Sequence, residues 1–339
     1  MRILADVDTG IDDACALLYL CGLEDVDLVG VTTSSGNTTA LQSALNTLAV
    51  LDAAGRPDVE VAVGTPRPLA RPLVTTPETH GPGGLGYAAL PDLTERLTSR
   101  CWLDLWRDAL TSSPGELTLL VTGPLTNLAL ALDEFPELPD LAGRIVIMGG
   151  CFWHLGNTTP TAEWNTWVDP DAAKKVHAAF EGLPSERLPI LCATELTERI
   201  EYRPDLLDAL LVRCGAQPVG LHATRPRFDG SQADTGSEAL DLLVDALRFY
   251  FEFHQDHDQG YVAHIHDMFA AQVAAGRAWI TTEPTVVDVE ASSELMRGTT
   301  VRDDRNIWGR QPTTRLVVDN RPDEVFDEFS RSLANVARS

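Results

Sequence analysis

Short apolar segments alternate with longer segments of helical periodicity along much of the chain. The apolar runs predict strands near residues 3–7, 26–34, 59–63, 117–122, 144–149 and 188–193. Apolar residues at helical spacing predict helices near residues 11–22, 39–54, 124–132, 170–180 and 238–253. Because continuously apolar strands that alternate with helices are typical of a parallel sheet covered on both faces, we predict an α/β fold with a mainly parallel central sheet.

The connections between these segments suggest how the chain is organised. No linker, internal repeat or low-complexity segment divides it, so we predict a single domain over residues 1–339. Three connections are long, namely residues 66–92, 151–168 and 254–264. Long connections inside a compact domain often carry function, so we expect these three to contribute to a site.

The charge and cysteine content restrict the classes of partner. Fifty acidic residues against 26 basic ones give a formal net charge of −24, which disfavours nucleic acid and anionic membranes as partners. The six cysteines form no C-x-x-C pair and are expected to be reduced thiols. With no signal-like N-terminus and no apolar run long enough to cross a bilayer, the sequence favours a cytoplasmic protein.

Four aspartates, Asp6, Asp8, Asp12 and Asp13, lie within eight residues at the end of the first predicted strand. In open α/β sheets ligands bind beyond the carboxyl ends of the strands. Exposed N–H groups in a first helical turn could explain Asp12 and Asp13, but not all four acids. We therefore predict a site for a hard divalent cation with oxygen ligands.

Two familiar acidic motifs fit this segment less well. An EF-hand loop is excluded, because Gly10 comes one place early and Leu17 occupies the position of the distal glutamate. A haloacid-dehalogenase-type Mg²⁺ phosphatase also has a D-x-D motif at the end of a strand. That family usually continues with Gly-Thr, whereas this chain continues with Thr9-Gly10.

A third interpretation accounts for the whole segment. Residues 6–14 read D-V-D-T-G-I-D-D-A. This segment resembles the D-x-D-P-G-x-D-D-A motif of the nucleoside hydrolase family (inosine-uridine-preferring type), with Thr9 in place of proline. Further segments resemble that family in the same order along the chain: Ser35-Gly36-Asn37, Asn46, His80 to Gly86, Thr122 to Asn127, Met148-Gly149-Gly150, Gly156-Asn157, Ala162 to Asn165, Asp169-Pro170, His266-Asp267, Val289-Glu290 and Arg297-Gly298.

The resemblance implies a Rossmann-like nucleoside hydrolase fold and Ca²⁺-dependent hydrolysis of the N-glycosidic bond of ribonucleosides. Ribose and a free base would be released through an oxocarbenium-like transition state. Asp8 would be a metal ligand and the general base that activates a metal-bound water. Asp13, the Thr122 backbone carbonyl and Asp267 would complete the metal site. Taken alone, Asp267 could instead be the N-cap of a helix over residues 268–275.

The resemblance also implies residues that contact the substrate. The group expected to bind ribose is Asp12, Asn157, Glu163 and Asn165, with Trp164 as an apolar wall and Met148 in the same region. Asn37 would orient Asp8. His266 would assist departure of the base and His80 would lie near it, while Tyr250, His254 and His257 could cover the base. Relatives are commonly homodimers or homotetramers, and the preferred base is left open.

A non-catalytic protein that binds ribose or a nucleoside also remains open at this stage. The replacement of proline by Thr9 keeps that alternative, although Thr9 is not an expected ligand. Glu195 and Thr197 follow the predicted strand near residues 188–193. The family usually has Asp and Thr there, so Glu195 departs from its pattern. This departure concerns the same edge of the sheet as the expected site.

Overall fold

A computed structural model describes residues 1–224 and 230–337. Its strands are β1 (Arg2–Val7), β2 (Asp27–Thr33), β3 (Val61–Val63), β4 (Leu117–Val121), β5 (Arg144–Met148), β6 (Ile190–Cys192), β7 (Glu201–Tyr202), β8 (Ala263–His264), β9 (Ile280–Thr285), β10 (Val287–Val289), β11 (Thr300–Arg302) and β12 (Thr314–Asn320). Eight of them form one sheet in the order β3-β2-β1-β4-β5-β6-β12-β9. All neighbours in it are parallel except the antiparallel pair β12 and β9, which confirms the predicted α/β class.

The α-helices confirm the predicted ones with end shifts of a few residues and add several others. They are α1 (Ile11–Cys21), α2 (Ala40–Ala53), α3 (Pro77–His80), α4 (Trp102–Ser112), α5 (Thr126–Glu134), α6 (Leu138–Leu141), α7 (Trp164–Val168), α8 (Pro170–Ala179), α9 (Thr194–Thr197), α10 (Pro204–Arg213), α11 (Glu238–Asp256), α12 (His266–Ala274) and α13 (Pro322–Val336). Short 3₁₀ turns occur at Thr94–Arg96 and Ser185–Arg187.

Two hydrophobic clusters lie on the two faces of the sheet. Successive side chains of a strand point to opposite faces. Accordingly Ile3, Ala5 and Val7 of β1 pack in the cluster that contains α1, whereas Leu4 packs in the one that contains α4 and α5. Because both faces of β1 are covered by apolar side chains, the acidic segment after this strand starts from a rigid, buried position.

Helix α13 closes the carboxyl end of α1. The last carbonyl groups of a helix have no partner within the helix itself. Here the Ser332 hydroxyl donates to the Tyr19 carbonyl at 2.6 Å, and the Asn335 amide donates to the Gly22 carbonyl at 2.9 Å. The C-terminal helix therefore supplies the capping hydrogen bonds of the helix that carries Asp12 and Asp13.

We expect Leu17→Ala to lower the free energy of unfolding by about 2–5 kcal/mol, because the side chain is fully buried within α1 and its loss leaves a cavity. Urea denaturation measures this change. The matched control is Leu41→Ala in α2, whose side chain is 51% exposed and should cost less than about 0.5 kcal/mol. Equal losses for the two variants would contradict the assigned packing.

Two sequence-based expectations concern chemistry rather than topology. All six cysteines lie in the described part of the chain and none is in a disulfide, as predicted. Within residues 1–224 and 230–337, no helix is both long and apolar enough to cross a bilayer.

Candidate active site

The predicted metal ligands come together at the carboxyl ends of β1 and β4. Asp8 follows β1, and Thr122 follows β4, its hydrogen-bonded neighbour. Asp13 lies in the first turn of α1, and Asp267 in the first turn of α12, which packs against α1. The alternative role of Asp267 as an N-cap does not hold, because Ile265 occupies the cap position of α12.

Three of the carboxylates could hold a metal ion together. Oxygen atoms of Asp12, Asp13 and Asp267 all lie within 4.8 Å of one another, and the three side chains are buried. Burial is the main cause that raises the pKa of each carboxyl group, to about 7 for Asp12, and neighbouring carboxylates raise those of Asp12 and Asp267 further. Several negative charges this close are costly in a buried site unless a cation balances them.

The hydrogen bonds in the cluster leave specific oxygens without partners. Among the described residues, Oδ1 of Asp8, Asp12 and Asp267 has no hydrogen-bond partner although each atom is buried. The other oxygen of Asp8 accepts from the Asn37 backbone N–H at 2.7 Å, which fits the expected orienting contact. A buried acceptor without a partner is unfavourable, and oxygen atoms are the ligands that Ca²⁺ and Mg²⁺ prefer. The residues therefore fit a hard cation.

Thr122 and Asp6 are held by hydrogen bonds beside the cluster. The Thr122 hydroxyl donates to Asp13 at 2.6 Å, and its carbonyl accepts from the Asn165 side-chain amide at 2.6 Å. Asp6 accepts from Thr32 at 2.6 Å and Asn127 at 2.8 Å, so these hydrogen bonds hold it beside the cluster. Thr122 thus fixes Asp13 through its side chain, and its role as a carbonyl ligand stays a prediction.

Gly10 is required by close packing rather than by an unusual backbone angle. Its φ of −92° is open to any residue. A Cβ atom there would lie 2.6 Å from the Asn37 amide nitrogen and 2.7 Å from Nδ1 of His80. The absence of a side chain therefore lets two predicted substrate-contacting residues approach the start of α1.

The residues expected to bind ribose lie on one side of the cavity. Glu163 caps α7, and its Oε2 accepts from the N–H groups of Gly150 and Thr166 at 2.9 and 3.0 Å. Asn157 accepts from the Trp164 N–H at 2.9 Å, which orders this loop around the cavity. These contacts hold the side chains in place, and their binding of ribose stays a prediction.

Aromatic rings form an arc on the other side. The order is His80, Tyr250, His254, His264 and His266, with neighbouring ring centroids 5.4, 4.4, 4.8 and 5.9 Å apart. The two ends of the arc adjoin the carboxylates, because Nδ1 of His80 accepts from the Ile11 N–H at 3.1 Å and His266 directly precedes Asp267. His254 and His264 lie between these two ends of the arc, and Tyr250 is close enough for Asp12 and Asp267 to raise its pKa further.

These groups enclose one cavity of about 380 Å³. All predicted site residues line it except Asp13, which lies behind them in the acidic cluster. Each of the three long connections contributes residues to the cavity lining, as predicted. Sequence analysis missed several lining residues: Thr76, Glu78, Thr79, Thr158, Glu198, Phe253, Gln259 and His264. For His264 a signal was present, since it is one of four histidines within residues 254–266.

Comparison with known proteins decides between the open alternatives. A sequence profile described as inosine-uridine preferring nucleoside hydrolase matches residues 3–327. The chain belongs to this family. Nucleoside hydrolases cleave the N-glycosidic bond of ribonucleosides, so the chain is an enzyme of this class and not a non-catalytic binder. The phosphatase interpretation is also set aside, and Asp6, on which it depends, is fully buried outside the cavity lining.

Curated relatives and solved structures agree with this nucleoside hydrolase assignment. The chain is 33% identical over 320 residues to the pyrimidine-specific ribonucleoside hydrolase RihA of Salmonella typhi, covering 94% of each protein. It is 32% identical to RihA of Citrobacter koseri, covering 98% of each. A purine-preferring ribonucleoside hydrolase from Gardnerella vaginalis superposes with a TM-score of 0.85 at 25% identity, covering 100% of this chain and 99% of that one.

Proposed function

We propose that this nucleoside hydrolase uses a bound Ca²⁺ ion to release ribose and a free base, with pyrimidine nucleosides among its substrates. The observation that carries the proposal is the set of buried Oδ1 atoms of Asp8, Asp12 and Asp267 that have no hydrogen-bond partner in the described chain. Asp8, Asp12 and Asp267 line the same cavity as the ribose and base groups. The pyrimidine preference is drawn from the similarity to the RihA proteins, which are named as pyrimidine-specific.

Asp8, Asp13, Asp267 and the Thr122 carbonyl would hold the ion, and Ca²⁺ suits a set that consists of oxygen atoms. When bound, the ion supplies positive charge that orients the ribose hydroxyls and makes a nearby water more acidic. Asp12 lies within this acidic group and is a further candidate ligand or a hydrogen-bond acceptor for ribose.

Asp8 is the proposed general base. Its Oδ2 is occupied by the Asn37 N–H, so the carboxylate is fixed and Oδ1 is left to take a proton from the attacking water. The water's oxygen would form the new bond to the ribose carbon as the bond to the base breaks. Positive charge builds on the ribose during this step, and the buried carboxylates of the site stabilise it.

The proposed ribose group is Asn157, Glu163 and Asn165, with the Trp164 ring beside it. The side-chain NH₂ group of Asn165 donates to the Thr122 carbonyl at 2.6 Å. Its Oδ1 therefore remains to accept from a ribose hydroxyl. Met148 lies in the same part of the cavity, 3.7 Å from the Asn165 amide through its sulfur. These contacts fix Asn165, which would then hold the ribose ring relative to Asp8.

His266 is proposed to give a proton to the departing base. Its Nδ1 lies 2.7 Å from the Thr197 hydroxyl, and its Nε2 has no partner in the described chain. Burial lowers the pKa of this imidazole, so the neutral ring would accept from the Thr197 hydroxyl at Nδ1 and donate its Nε2 proton to the base in a fixed direction. His80, with its Nδ1 engaged by Ile11, would contact the base from the opposite end of the arc.

We expect His266→Ala to lower kcat for uridine by about a hundredfold or more, because departure of an unprotonated base is slow. A p-nitrophenyl riboside carries a leaving group that needs no proton, so its hydrolysis should fall far less. Steady-state kinetics on the two substrates measure the difference. His222→Ala, an exposed histidine outside the cavity, is the control. Equal losses on both substrates would contradict a role in proton donation.

A reducing-sugar assay with uridine, cytidine, inosine and adenosine tests the proposed function. We expect ribose release from the pyrimidine nucleosides, and its loss when a chelator is present. If none of the four nucleosides releases ribose, the proposal is wrong. A homodimer or homotetramer remains a prediction, which sedimentation of the intact protein would test.

A further inference from the structure

The middle of the aromatic arc contains two histidines with fixed protonation sites. Nδ1 of His264 lies 3.1 Å from the backbone carbonyl of Glu198, and Nδ1 of His254 lies 2.9 Å from that of Tyr250. A carbonyl oxygen can only accept a hydrogen bond, so the proton of each ring must sit on Nδ1. A neutral ring then has a lone pair on Nε2, which can only accept.

Both rings are neutral near pH 7. Burial is the main cause that lowers the pKa of each imidazole, to about 3 for His254. Neither Nε2 has a hydrogen-bond partner among residues 1–224 and 230–337, and both side chains line the cavity. Two proton acceptors are therefore available to a ligand at this end of the cavity.

The opposite pattern holds at His80. Its Nδ1 accepts from the Ile11 N–H, so the ring proton lies on Nε2 and this atom donates. The cavity thus has a donor near the carboxylates and acceptors at the middle of the arc. With the ribose expected at the carboxylates, a base that extends toward His254 and His264 would turn the edge opposite its glycosidic bond to these two rings.

We propose that His264, together with His254, selects bases that carry an amino group at this far edge, and that the enzyme therefore prefers cytidine to uridine. The inference rests on the proposed function and deepens it. The 4-amino group of cytosine offers two N–H donors to the two Nε2 acceptors. Uracil places a carbonyl oxygen there, which faces lone pairs instead of protons.

The enzyme cannot adapt easily to uracil. To donate to a carbonyl oxygen, His264 would need its proton on Nε2, and its Nδ1 lone pair would then face the Glu198 carbonyl. A buried pair of acceptors without a proton between them is unfavourable, so the mismatch acts against uridine. The same reasoning predicts adenosine over inosine among purine nucleosides.

The wild-type enzyme provides the first test. We expect kcat/KM for cytidine to exceed that for uridine by about tenfold or more, and adenosine to exceed inosine in the same direction. A cytidine-to-uridine ratio below tenfold would overturn the assignment while ribose release, and with it the proposed function, stands. Absence of release from every nucleoside would overturn both.

Two variants of His264 separate recognition from structure. His264→Asn keeps an amide N–H near the Nδ1 position, where it can still donate to Glu198, but has no atom at Nε2. His264→Gln places its amide near Nε2, where it can accept from an amino group or, with the amide turned over, donate to a carbonyl oxygen. We expect the cytidine-to-uridine ratio to fall about tenfold in the Asn variant, which loses the acceptor, and to fall also in the Gln variant, which can serve both bases.

A purely structural role would change both substrates alike and leave the ratio unchanged. Thermal unfolding of each variant identifies losses that come from instability. If His264→Asn folds and keeps the wild-type ratio, the proposal is wrong. If it does not fold, the wild-type ratio and the Gln variant still decide the question.

Discussion

Asp8→Asn should reduce kcat by about a thousandfold or more while the protein keeps its melting temperature within a few degrees. Asparagine has nearly the same shape and can still accept from the Asn37 N–H, but its amide cannot take a proton from water. It also removes one negative charge from a group of buried carboxylates, which relieves repulsion rather than adding strain. Steady-state kinetics with a pyrimidine nucleoside and thermal unfolding measure the two quantities.

The matched control is Asp245→Asn. Asp245 is also buried, but it lies in α11, where its two oxygens share the Ala233 N–H at 3.1 and 3.3 Å, and it does not line the cavity. The asparagine oxygen can still accept from that N–H, so kcat should stay within about threefold. An Asp8→Asn enzyme that folds and retains a tenth of wild-type turnover would rule out Asp8 as the general base.

Removal of divalent ions is the second large effect. After dialysis against a chelator the enzyme should lose nearly all activity, and added Ca²⁺ should restore it. Without a cation, the carboxylates of Asp8, Asp12, Asp13 and Asp267 oppose the folded state by mutual repulsion. Calcium at a hundred times its dissociation constant should stabilise the folded state by about 2.7 kcal/mol, or roughly 5 °C in melting temperature.

The control for this experiment is Asp267→Asn, which lacks one proposed ligand. Its melting temperature should respond to Ca²⁺ only at much higher concentrations. The Leu41→Ala variant changes an exposed side chain instead of a buried carboxylate, so it should respond to Ca²⁺ like the wild type. Full activity of the wild-type enzyme in chelator, or the same calcium shift in Asp267→Asn, would refute the proposed ion site.

The central part of the fold was predictable because its signals are local. Strands β1, β2, β4 and β5 are continuous apolar runs, since helices cover both of their faces. Strand β9 was missed because it is the edge strand of the sheet, is mostly exposed and contains Pro284. Helices α10 and α13 were missed although each begins with a proline at its first position, a signal that was present.

The candidate site was predictable to the extent that it follows motifs. The family resemblance singles out Asp8, Asp13 and Asp267. The structure places Asp13 beside Asp267 and Asp8 in the same cavity as Asp267, and their role as metal ligands stays a prediction. His264 was not singled out, although four histidines fall within residues 254–266, because its role depends on contact with the Glu198 backbone carbonyl, which the sequence does not show. Close approaches such as that of His80 to Gly10 are likewise set by three-dimensional packing alone.

The capping of α1 by α13 bears on how the enzyme is made. The acidic segment is translated well before Ser332 and Asn335, each of which lies 313 residues after the carbonyl group that it caps. Until they are made, the Gly22 carbonyl is left to water and the Tyr19 carbonyl keeps the Gly22 N–H as its partner, so α1 is less firmly held at that end. We therefore expect a chain that stops before Ser332 to have a lower free energy of unfolding than the intact chain, although all four aspartates of the acidic segment are present.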